Sequence, residues 1–151
     1  MSDDDDATRR LAATTAALLD QGRIVDGLSR PLTAAALIGL MLAPVLAGRS
    51  PAPTMFLLGL VALCGIVEAW FAMRVRFDAA LLHRLAEAAD PPDLAALDTA
   101  LLRLGLLPPA KGGRPLAERA QGARRLLFRQ AAALIAQVAL ILAAGVLAAA
   151  R

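Results

Sequence analysis

Apolar residues gather into three long runs along this chain, separated by stretches in which charged positions return. Residues 54–73 and 131–150 each make a run of twenty. At the helical rise, twenty residues cross roughly the 30 Å of a bilayer's hydrocarbon core. The first run, residues 32–47 ("LTAAALIGLMLAPVLA"), has sixteen residues and contains Pro44, so its pattern is weaker. "GRSPAP", residues 48–53, reads as a tight turn that makes the first two runs a helical hairpin.

A cleaved signal peptide is the competing reading of the first run, because Arg23 and Arg30 precede it and small Ala47 closes "VLA". The segment before it is too long for a leader, carries "DDDD" at Asp3 to Asp6, and has a helical pattern of its own. A retained span is therefore expected.

Between the runs the pattern stays helical. In the N-terminal stretch, Leu11, Leu18 and Val25 recur every seven residues and predict an amphipathic helix over 7–28, behind an acidic tail expected to be disordered. After Met73, Phe77, Leu81, Leu85 and Ala88 keep helical spacing with no breaker, so the second span continues out of the membrane. "DPPD" ends it: Asp90 is placed to cap a new helix, Pro91 suits its first position, and Asp93 suits the positive end of its dipole. That helix carries Leu94, Leu97, Leu101 and Leu104 and is expected to stop at Gly105. "LLPPAKGGRP" is a loop, and from Pro115 helix-compatible sequence leads into the third run.

The pattern predicts an all-α integral membrane protein with three transmembrane helices, the first two as a hairpin, and a small cytosolic helical cap between the second and third. Its segments are 1–31 (cytosolic, acidic tail and amphipathic helix), 32–73 (hairpin), 74–130 (cap with a basic juxtamembrane helix) and 131–151 (third span).

Composition agrees. The chain has 151 residues, 58% hydrophobic, with a mean hydropathy of +0.61, whereas soluble domains hold about 45–50% apolar residues. Lys111 is the only Lys and there is no Tyr, a usage that fits GC-rich bacterial genomes. Charge gives orientation. Fourteen of the sixteen Lys and Arg fall in 1–31 or 74–130, which the hairpin puts on one side, and the positive-inside rule makes that side cytosolic. The expected location is a bacterial cytoplasmic membrane, N-terminus cytosolic and C-terminus outside.

Within 74–130 the charge is uneven: residues 74–104 carry a net −1 and residues 105–130 a net +5. Arg119, Arg124, Arg125 and Arg129 stand just before the third run, where a basic side chain gains about 1 kcal/mol beside an anionic leaflet. Topology and lipid-headgroup contact are their expected roles. Nucleic acid is not expected as a partner, since Phe128 is the only aromatic residue among them and no stacking platform is present.

Catalytic chemistry has no visible constellation, and neither an enzyme nor a cofactor is expected. Cys64, the only cysteine, lies in the middle of a span and excludes intramolecular disulfides. His83, the only histidine, has only Glu87 one turn away, too few ligands for a metal. "AKGGRP" lacks the spacing of a phosphate-binding loop. Trp70 suits an interfacial anchor.

The candidate site is polar and intramembrane. Glu68 shares a face with small Gly65, Ala69 and Ala72, which predicts that it meets protein. Counted from Arg74 and Arg129, Glu68 and Gln137 lie about 9 and 12 Å deep, so a Glu68–Gln137 hydrogen bond is expected, with Gln130 extending the cluster toward water. Small faces recur at Ala35, Gly39 and Ala43 and at Ala132, Ala136 and Ala143, expected to pack helices closely. The function these features imply is a non-catalytic accessory or scaffold subunit docking a larger membrane protein. A homo-oligomeric channel or transporter component with Glu68 lining its conduit is the contrasting expectation.

Overall fold

The computed structural model describes residues 3–46, 52–88, 93–106, 108 and 112–149. Among these the regular elements are all helices: α1 (Asp3–Asp20), α2 (Gly22–Leu46), α3 (Ala52–Glu87), α4 (Leu94–Arg103) and α5 (Leu116–Ala149), with no strand. Three stretches are long and apolar enough to cross a membrane: Asp4–Ala43, whose apolar part belongs to α2, Ala52–Glu87 and Leu116–Leu147. Contacts divide the chain into two compact units, one of Met1–Asp20 with Phe77–Arg125 and one of Gln21–Arg76 with Leu126–Arg151. The segment expected as 1–31 is thus split at Gln21, and α2 begins ten residues before the expected start of the first span. It continues through Pro31 and Pro44. Spanning helices tolerate proline where neighbouring groups satisfy the freed carbonyl.

In the first unit, α1 buries Ala12, Thr15, Ala16 and Leu19, the i, i+3, i+4, i+7 stripe of an amphipathic helix. Leu11 and Leu18, expected on the apolar face, stand exposed beside that stripe. The seven-residue leucine repeat thus marks the face adjacent to the buried one. α1 begins at Asp3, so the acidic run is its first turn and not a disordered tail. Negative side chains there meet the positive end of the helix dipole. Ala79 and Leu82 of α3, Leu101 of α4, and Leu116, Ala120 and Ala123 of α5 complete the buried set of this unit.

The short α4 is held by its ends. Asp93 is its N-cap, accepting a hydrogen bond from Ala96 N at 2.9 Å; the expected cap, Asp90, and Pro91 lie outside the described residues. At the other end Leu106 N donates to Leu101 O and Gly105 N to Leu102 O, a Schellman motif in which Gly105 takes φ +67°. Of the turn expected at 48–53, residues 48–51 also lie outside the described residues, and Ala52 and Pro53 open α3.

In the second unit, Ala36, Val61 and Ala62 are buried, with Leu40, Leu58, Leu140 and Ile141 packed against them. The outward faces are strongly apolar: Ile38, Met41, Phe56, Ile66, Ile135 and Val146 are all exposed. Apolar surface on this scale is unsuited to water and suits hydrocarbon.

Candidate functional site

Polar groups are concentrated inside the second unit. On α2, Gly22, Asp26 and Ser29 are buried and Thr33 half-buried at spacings of four, three and four, one continuous face. On α3, Gly65, Glu68 and Ala72 form the matching buried face. From α5 come Gln130 and Gln137, seven residues apart and therefore on one side. Glu68, Gln130 and Gln137 are each 0% exposed.

Glycine lets these faces meet. A methyl at Gly65 would collide with Thr33 Oγ1 and lie 2.8 Å from Gln137 Nε2. At Gly22 it would lie 2.8 Å from Gln130 Oε1 and 3.0 Å from Val75 Cγ1. Gly39 is looser, with Leu58 Cδ1 at 3.3 Å.

Three groups of hydrogen bonds follow. Ser29 Oγ donates to Gln137 Oε1 at 2.8 Å, Gln137 Nε2 donates to Thr33 Oγ1 at 2.9 Å, and Thr33 Oγ1 donates to Ser29 O at 2.9 Å. Each group in that circuit is used. Asp26, only 2% exposed, accepts from Arg30 Nε of its own helix at 2.9 Å and from Arg76 Nη2 at 2.7 Å, so the buried carboxylate joins α2 to α3 through the Arg76 guanidinium. In the third group, Gln130 Nε2 donates to Gly22 O at 2.9 Å and to Glu68 Oε1 at 2.7 Å.

Glu68 therefore meets Gln130, while Gln137 serves α2; the expected Glu68–Gln137 bond is replaced. Depth counted from the nearest arginine is a poor ruler, because long basic side chains snorkel and spanning helices tilt. Ala69 is exposed, since one residue turns a helix by about 100° and carries it away from the Glu68 face. Ala136 and Ala143 also face outward, whereas Ala144 is buried.

Compared with known proteins, the chain matches no family model, no curated protein and no solved structure.

In the first unit, Arg119 is committed to protein. Its Nη2 donates to Asp98 Oδ1 at 2.6 Å and Oδ2 at 2.8 Å, and its Nε to Arg114 O at 3.0 Å. Gly113 N donates to Asp98 Oδ2 at 2.7 Å. This backbone N–H, then the Arg119 guanidinium, hold the Asp98 carboxyl below its ordinary value. Arg124, Arg125 and Arg129 are exposed. Arg124 also borders a groove between α1 and α5 lined by Leu11, Leu18, Ala117, Ala120 and Gln121. His83 Nε2 meets Asp20 Oδ2 at 2.9 Å, and among the described residues no group of three or more His, Cys, Asp or Glu could hold a metal. Trp70, 49% exposed, packs edge-on against Phe71 at 5.1 Å and carries the Arg74 guanidinium 5.3 Å over its ring.

Asp26, Ser29, Thr33, Gly22 and Asp98 are absent from the sequence-based candidates. For the first four a signal existed: Gly22, Asp26, Ser29 and Thr33 keep a four-three-four spacing into the first apolar run, and Arg30 stands one turn after Asp26. Asp98 gave none, since its partners come from across the loop.

Proposed function

We propose that this chain is a small non-catalytic accessory or scaffold subunit of a bacterial cytoplasmic membrane, which docks a larger membrane protein through small-residue helix faces and its helical cap. The cap and the N-terminus lie in the cytosol, the first two spans form a hairpin, and the C-terminus lies outside. Exposed Arg124, Arg125 and Arg129 contact anionic headgroups.

One observation carries this reading. α5 turns Gln130 and Gln137 inward, yet exposes Ala132, Ala136, Ala139 and Ala143 as a row at spacings of four, three and four. In lipid a row of small side chains lets another helix approach closely, and dispersion contacts then favour association. Polar docking is not needed, because Glu68 is enclosed within its own chain.

Native mass spectrometry of the protein extracted with its lipid from the parent membrane tests the proposal. A reproducible heteromeric mass is expected, and Ala136→Leu with Ala143→Leu should deplete it while leaving the monomer folded. A closed homo-oligomer without a partner overturns the reading. It would favour the alternative of a homo-oligomeric channel or transporter component with Glu68 lining its conduit, for which Glu68→Gln should abolish ion flux.

A further inference from the structure

Two acceptor oxygens remain over inside the second unit. Gln130 commits Nε2 to Gly22 O and Glu68 Oε1, which leaves Glu68 Oε2 and Gln130 Oε1 buried without a hydrogen-bond partner. They belong to the two groups that the 2.7 Å bond joins, so one missing positive partner accounts for both. Turning the amide over is no remedy. It would point Oε1 at Gly22 O and Glu68 Oε1, replacing two hydrogen bonds with two contacts between acceptors.

The surroundings sharpen the deficit. Two turns further along α5 the Gln137 amide has its oxygen and nitrogen both satisfied. Asp26, the other buried carboxylate, has two arginines, whereas Glu68 has one neutral amide. The charged groups that the α2 and α3 faces bring together are Asp26 and Arg30 on α2 and Arg76 on α3, and their hydrogen bonds are to one another; α5 contributes Gln130 to Glu68. Arg30 attracts Glu68 electrostatically, but its hydrogen bonds go to Asp26. An ionised carboxylate enclosed among apolar helices is costly without a neutralising partner.

We propose that Glu68 Oε2 and Gln130 Oε1 together hold one monovalent cation, a proton or a sodium ion, between α2, α3 and α5. A proton bonds to Glu68 Oε2 and is offered to Gln130 Oε1, closing an acid–amide pair. A sodium ion takes both oxygens as hard ligands. A monovalent ion matches the charge of the single carboxylate. Gly22 is part of the site, because the Gln130 amide can lie against the α2 backbone only where no methyl stands. The site lies within one chain and is independent of any docking partner.

Thermal unfolding of the purified full chain in lipid nanodiscs tests this, with sodium chloride exchanged for choline chloride at constant ionic strength, alongside infrared spectra of the carboxyl region. If sodium is the occupant, the wild-type Tm rises with the logarithm of sodium concentration, and Glu68→Gln and Gln130→Leu abolish the rise. If a proton is the occupant, sodium has no effect and the wild type at neutral pH shows a protonated-carboxyl band, which Glu68→Gln removes. Absence of both responses in the wild type, meaning an ionised Glu68 satisfied by water, overturns the proposal. Both readouts are taken first on unmodified protein, so a variant that fails to fold does not decide the question.

Discussion

At Gly65 the distance between α2 and α3 rests on a missing atom. A methyl there meets the Thr33 side chain and the Gln137 amide, both held by the Ser29 circuit. Gly65→Ala is therefore expected to cost about 1–3 kcal/mol, the usual penalty of overpacking. Gly59→Ala, with open space around the site, should be neutral or stabilising because alanine favours helix. Denaturation in detergent, comparing the two variants, checks the contrast. Part of this was legible beforehand: Gly65 and Ala72 flank Glu68 at helical spacing, and Gln130 and Gln137 share a side of α5. Which glutamine meets Glu68 was not legible, because it depends on the relative tilt and register of two helices. Asp26 is hidden in the sequence for another reason. Within a stretch read as an ordinary amphipathic helix, an acidic residue suggests solvent, and only the arrival of Arg76 from α3 makes its burial affordable.

The helices themselves were easier to read than their partners. The long helices α3 and α5 follow from their apolar runs and from the lack of a breaker in the charged sequence that adjoins them, and the end of α4 follows from Gly105. The start of α1 ran against composition, since an acidic run reads as a solvated tail until a helix dipole accounts for it. α4 was expected as a leucine-faced helix, but Asp98 anchors it through Gly113 N and Arg119. Asp98→Asn is expected to destabilise the first unit by about 1.5–3 kcal/mol, the range for hydrogen bonds to charged groups. The pH dependence has a definite sign. Asp98 is held below the about pH 3.9 of a free aspartate. Its contribution is therefore complete above that value and is lost as pH falls through the lowered one. Circular dichroism melts should show the wild type weakening below about pH 4, with Asp98→Asn weaker at neutral pH and flatter through the acid range.

For the molecule as a whole, three helices fit for a membrane were foreseeable from hydropathy, but the two-unit division was not. α1 groups with 77–125 and buries Ala12, Ala16 and Leu19, a pairing that no periodicity identifies across so many residues. The proposed orientation makes a direct prediction. In a Cys64→Ser background, a cysteine replacing Thr8 should react with a membrane-impermeant maleimide only after cells are opened, and one replacing Ala149 should react in intact cells. The reverse pattern overturns the orientation. Trp70 also has a practical consequence. As the only tryptophan of the chain, half-exposed beside the Arg74 cation, it makes the intrinsic fluorescence report from a single point. Quenching by lipids brominated at graded positions along their acyl chains then measures the immersion of α3 in angstroms, without any added label.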